Sequence, residues 1–185
     1  MLVIHENKGL TDHIRQVAGR FAAAEYSALA IDLLSPEGGT ASLGDPANAT
    51  AALGKAAPER FVADLRAGIA ELARRAPKTK IGAIGFCFGG GMTWRLVASK
   101  DPKLAAAIPF YGPLPEGADF KGSKAAVLAV YAEKDDRVNG TRDAAKAALE
   151  KAGLVHEIVT YPGDHAFHND TSPRYNGESA TKAWA

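Results

Sequence analysis

"IGAIGFCFGGGMTWRLVASK" (residues 81–100) decides the fold of this chain. It opens as an apolar run of strand character, turns through glycines around the only cysteine, and continues with helical periodicity. Gly85-Phe86-Cys87-Phe88-Gly89 fits G-x-Nuc-x-G, the nucleophile elbow, in which a sharp strand-to-helix turn lifts a nucleophile above a sheet. Small residues two before and two after the nucleophile remove the Cβ atoms that would collide in so tight a turn. The amino end of the following helix aims unpaired N–H groups at the same point, which favours a thiolate and a developing oxyanion. A phosphate loop would need a Lys-Ser/Thr pair after its glycines, and Gly91-Met92-Thr93 supplies no lysine. A dinucleotide-binding fingerprint is equally unmatched. The competing reading of a lone cysteine is a small buried hydrophobe; the paired glycines and the strand–helix context favour the nucleophile.

Outward from this turn, short apolar runs alternate with longer stretches of helical period. Residues 2–4 and 27–34 read as strands, with a helix over 11–26 between them and a Gly/Pro/Ser/Asn-rich loop over 35–50. An amphipathic helix follows at 58–76. Then come strand 80–85, helix 89–99, strands 105–111 and 126–132, helix 141–152 and strand 155–161. Such alternation predicts an α/β domain with a mostly parallel sheet and helices on both faces. The 185 residues, 46% hydrophobic, suit one domain spanning 1–185. A formal net charge of +1 gives no reason to expect nucleic acid or an anionic membrane as partner. No apolar run approaches the roughly 18 residues of a membrane span. The start, "MLVIHENKG", has no leader pattern, and one cysteine fits a reducing compartment, so the cytoplasm is expected.

Ligands of parallel sheets sit at the carboxyl ends of the strands. Glu6, Cys87, Asp135 and His165 all follow expected strand ends. An elbow nucleophile needs a base, and the base an orienting acid, in the chain order nucleophile, acid, histidine. "EKDDRVNG" after strand 126–132 supplies Asp135, with Asp136 and Glu133 as alternatives, and "GDHAFHND" after strand 155–161 supplies His165. His168, three residues on, has no third or fourth ligand at metal spacing, so no metal is expected. His13 and His156 read as structural or exposed, and Asp164 as a loop residue. Glu6 directly after an apolar strand either faces the cleft or pairs with Lys8 or Arg15. Beside a thiol, its carboxylate would repel a thiolate and keep Cys87 neutral until substrate displaces it. The Phe88 and Asn7 N–H groups are the candidate oxyanion donors. Trp94, Tyr111, Phe167 and His168 either line the pocket or pack in the core.

Together "VIHENKGL", "ALAIDLLSPEGGT", "GAIGFCFGGG", "FYG", "YAEKDDRVN" and "YPGDHAFHNDTSPRYN" make the chain resemble the dienelactone hydrolase family of the α/β-hydrolase fold. The resemblance implies a Cys87–His165–Asp135 triad, Glu6 as activating carboxylate, Asn7 and Phe88 as oxyanion donors, and cofactor-free hydrolysis of a lactone or activated ester through a thioester. The same thiol could instead attack phosphotriesters or arylesters, or the fold could serve as a non-catalytic binding protein. Two departures stand out. Family members hold an anionic substrate with two arginines, whereas residues 40–57 contain none and His168-Asn169 follow the catalytic histidine; Lys55 and Arg174 are the available substitutes. The usual first two strands are also absent, which leaves strand 27–34 as an apolar edge and predicts a homodimer through it or through exchanged termini.

Overall fold

The computed structural model describes all 185 residues. Six strands form one sheet in the order β2-β1-β3-β4-β5-β6, and every neighbouring pair is parallel. They are β1 (Leu2–Ile4), β2 (Leu29–Ile31), β3 (Ile81–Phe86), β4 (Leu104–Phe110), β5 (Ala126–Ala132) and β6 (His156–Tyr161). The helices are α1 (Asp12–Ala23), α2 (Pro46–Lys55), α3 (Pro58–Arg75), α4 (Phe88–Ala98), α5 (Asp136–Asn139), α6 (Arg142–Ala152) and α7 (Gly177–Trp184). Strand residues alternate between two cores. Leu2, Ile4, Ile81 and Ala83 pack with α3 and α4 on one face, while Val3, Ile84 and Phe86 pack with Ile14 and Val17 of α1 on the other. A sheet buried on both sides explains why its strands read as unbroken apolar runs.

The chain moves outward from β1 to β2, then returns to place β3 on the other flank of β1. Strand order therefore reverses between β1 and β3, and the crevice beyond their carboxyl ends is where such folds bind ligands. Ile4 pairs with Gly85, so two residues further on Glu6 and Cys87 leave neighbouring strands side by side.

Two expectations need correction. The strand expected over 27–34 covers only Leu29–Ile31. Asp32 ends it by accepting the N–H groups of Leu34 and Thr40, which turns the backbone out of the sheet. β2 is an edge strand, as expected, but three residues offer little free backbone to a second copy. The stretch 35–50 is not one loop. It contains short 3₁₀ turns at 35–37 and 40–43, and from Pro46 it becomes α2. The Asp45 side chain accepts the Ala47 N–H and Pro46 occupies the first turn, so the residues read as loop composition are a helix start. α7 was not expected at all. Asn176 caps it by accepting the Ser179 N–H, and Trp184 packs on Phe21 beneath the Arg20 guanidinium, 3.7 Å from the ring centre.

Candidate active site

Cys87 sits between β3 and α4 at φ +54°, in the positive-φ region that side chains rarely adopt. The packing explains the glycines. A Cβ on Gly85 would lie 2.1 Å from the Gly89 carbonyl oxygen, and one on Gly89 would lie 2.4 Å from that of Ile4. Helix α4 can thus descend onto the ends of β1 and β3 only where side chains are absent. Its first intrahelical bond runs from Gly91 N–H to the Cys87 carbonyl. The Phe88, Gly89 and Gly90 N–H groups precede that bond and point toward the sulfur's end of the helix. Cys87 is half-buried.

Asp135 caps α5, accepting the Val138 N–H through Oδ1. Its Oδ2 accepts a hydrogen bond from His165 Nδ1. Asp135 is held as a carboxylate and can only accept, so Nδ1 carries the hydrogen of that bond and Nε2 faces Cys87 Sγ at 3.0 Å. Asp136 and Glu133 are both exposed and stand outside this chain of contacts. Burial pushes the His165 imidazole down, but the hydrogen bonds to Asp135 and Cys87 and the charges behind them outweigh it and raise its pKa to about 9. Burial pushes the Asp135 carboxyl up; the His165 hydrogen bond and charge, with the Val138 N–H, bring it below the usual range.

Glu6 is 7% exposed and turns into the same crevice. It pairs with neither Lys8 nor Arg15. Asn169 Nδ2 donates to Glu6 Oε2 at 2.6 Å, and Asn169 Oδ1 is itself held by the backbone N–H and hydroxyl of Thr171. The sulfur has no hydrogen bond to Glu6; its partner is His165. Asn7 is half-buried at the turn after β1, where its carbonyl accepts the Thr50 hydroxyl.

Three residues here escaped the sequence reading. Asn169 and Thr171 position Glu6. His5, wholly buried, accepts the Leu33 N–H on Nε2, so Nδ1 bears the proton and donates to the Glu6 carbonyl at 2.6 Å. Burial holds the His5 imidazole below its usual pKa, which keeps that neutral bridge intact. The only clue in the sequence was a histidine inside an apolar strand end.

The pocket candidates are corrected. Trp94 is completely buried, stacks on Phe120 and donates its Nε1–H to the Gly112 carbonyl, because α4 turns that face into the core. Phe167 is equally buried, against Phe110 and Tyr161. His168 is buried and packs on Phe86 and Phe110, in the core rather than on an open pocket wall. Tyr111 is buried too, yet its ring meets the His165 ring edge-on at 5.2 Å and so backs the imidazole rather than meeting substrate. Burial, with the Glu6 and Cys87 charges, raises the Tyr111 phenol well above its usual pKa. Lys55 and Arg174 are exposed and bind neither Glu6 nor the triad residues.

The model of the dienelactone hydrolase family matches residues 1–185. A protein of Methylorubrum extorquens provisionally named a carboxymethylenebutenolidase is 32% identical over 202 residues, covering 100% of this chain and 68% of its own length. A crystal structure from Klebsiella pneumoniae, provisionally titled a dienelactone hydrolase, superposes with TM-score 0.84 at 31% identity, covering 99% of this chain and 82% of that one. The dienelactone hydrolase-like promiscuous phosphotriesterase P91, 23% identical with TM-score 0.78 over 99% of this chain and 81% of its own, shares the fold. With an α/β sheet, an elbow at its switch point and a family match from end to end, this chain belongs to the dienelactone hydrolase family and is a hydrolase of carboxylic esters or lactones.

Proposed function

We propose that the chain cleaves a lactone or activated ester by covalent catalysis at Cys87. The thiol proton passes to His165 Nε2 rather than to Glu6, since His165 is the sulfur's hydrogen-bond partner and Glu6 is tied to Asn169. The sulfur forms a C–S bond to the carbonyl carbon, and the π pair moves onto oxygen. The N–H groups of Phe88 and Asn7 stabilise that oxyanion. Collapse expels the alcohol oxygen, which takes the proton from His165, and leaves a thioester. Water then attacks, giving its proton to the same nitrogen; the C–S bond breaks, the acid leaves, and the proton returns to sulfur. Asp135 keeps Nε2 directed at sulfur and stabilises the imidazolium in between.

One observation carries this reading: the continuous line from Asp135 through His165 to the thiol of a half-buried Cys87 at the head of a helix. Cys87→Ala tests it. Hydrolysis of p-nitrophenyl acetate is expected to fall to background, and intact-protein mass spectrometry of the parent enzyme during turnover is expected to show an acetyl group on Cys87. Unchanged turnover in the variant would overturn the mechanism.

A further inference from the structure

Glu6 is more than nine-tenths buried, and only one of its carboxylate oxygens is satisfied. Oε2 accepts from the neutral amide of Asn169, whereas Oε1 is buried and accepts no hydrogen bond. None of the ion pairs in the chain includes it. Asn169 is fixed in its turn, because both its carbonyl contacts come from Thr171. An amide brings no positive charge, so no cation offsets that of a carboxylate in this place.

The sheet register puts this charge where it acts on substrate. Glu6 and Cys87 lie two residues past the Ile4–Gly85 pair, just beyond the ends of adjacent strands that run about 5 Å apart. An acyl group on the sulfur is therefore held at the end of the sheet from which the Glu6 carboxylate also leaves. We propose that Glu6, positioned by Asn169, is a specificity determinant that rejects anionic acyl groups and selects neutral ones. This substrate class rests on the covalent mechanism proposed above. At such separations in a partly desolvated cleft, like-charge repulsion is expected to cost on the order of tenfold or more in rate.

Cys87 is the only cysteine, so its alkylation reports on this field without requiring turnover. Iodoacetamide and iodoacetate differ little in size and by one charge. The rate ratio, amide over acid, is expected to be about tenfold higher in the parent enzyme than in Glu6→Gln. In Asn169→Ala, where the carboxylate is free to swing away, the ratio is expected to fall toward that of Glu6→Gln. A purely structural role for either residue would slow both reagents alike and leave the ratio fixed. On substrates, methyl 4-nitrophenyl adipate is expected to exceed 4-nitrophenyl hydrogen adipate in kcat/KM by a similar factor, which Glu6→Gln removes. Equal ratios in the parent enzyme and Glu6→Gln would overturn the inference while Cys87-dependent ester turnover still stood. Loss of that dependence in Cys87→Ala would instead remove the mechanism and leave the alkylation result intact.

Discussion

His168→Phe tests how this fold is held together where a buried imidazole packs on Phe86 and Phe110. His168 is 2% exposed, stacked on Phe86 with ring centres 5.2 Å apart and set edge-on to Phe110 at 5.5 Å. Neither ring nitrogen has a hydrogen-bond partner. Burial first, then the charges of Arg20 and His13, push its pKa down to about 4 against the opposing pull of Asp170. Because the folded value lies below the unfolded 6.5, its share of stability is fully present above pH 6.5 and drains away as pH falls toward 4. Over that interval the loss amounts to roughly 3 kcal/mol. Phenylalanine keeps the ring and removes both orphaned nitrogens, whose burial costs about 1–3 kcal/mol. The variant is therefore expected to be more stable than the parent by about 1–2 kcal/mol at pH 7.5, with the gap widening by about 3 kcal/mol at pH 4. Urea unfolding at pH 7.5, 6, 5 and 4 measures both quantities, with m-values checking that the two chains unfold alike. Parallel stability–pH curves would show that this imidazole does not titrate in the buried state, and the reasoning from its unpartnered nitrogens would fail.

The elbow and its base yield two further expectations. Asp135→Asn removes the hydrogen-bonding charge that raises His165, so kcat/KM for p-nitrophenyl acetate should drop by about 10²–10⁴, and the rise of kcat/KM with pH, which follows loss of the His165 proton and is placed near pH 9 in the parent, should move to lower pH; a rise that stays put would sever it from this imidazole. His165 also links to stability with the sign opposite to His168: its contribution is complete below pH 6.5 and disappears as pH rises through about 9. Gly89→Ala places a methyl 2.4 Å from the Ile4 carbonyl oxygen and 2.6 Å from that of His5, both main-chain atoms that cannot swing aside. A destabilisation of about 3 kcal/mol or more is expected in chemical denaturation, and a near-neutral result would mean α4 does not rest on the end of β1.

Much of this protein was legible in its residues. Runs such as Ile81–Phe86 and Ala126–Ala132 declare buried strands because a sheet covered on both faces needs no polar alternation. The turn Gly85-Phe86-Cys87-Phe88-Gly89 declared its geometry, since backbone atoms approach so closely there that only hydrogen fits at the glycines. Local chemistry of this kind is written in neighbouring residues, and α2 was missed only because Asp45 and Pro46 start helices as readily as they fill loops. Tertiary structure decided the rest. Which carboxylate meets His165 depends on how α5 turns Asp135 inward and leaves Asp136 outside. Asn169 reaches Glu6 across 163 positions, a separation no spacing rule can span. Trp94 and Phe167 went to the core and Tyr111 to the back of the imidazole because helix rotation and loop path, set by packing over the whole sheet, determine where a side chain ends.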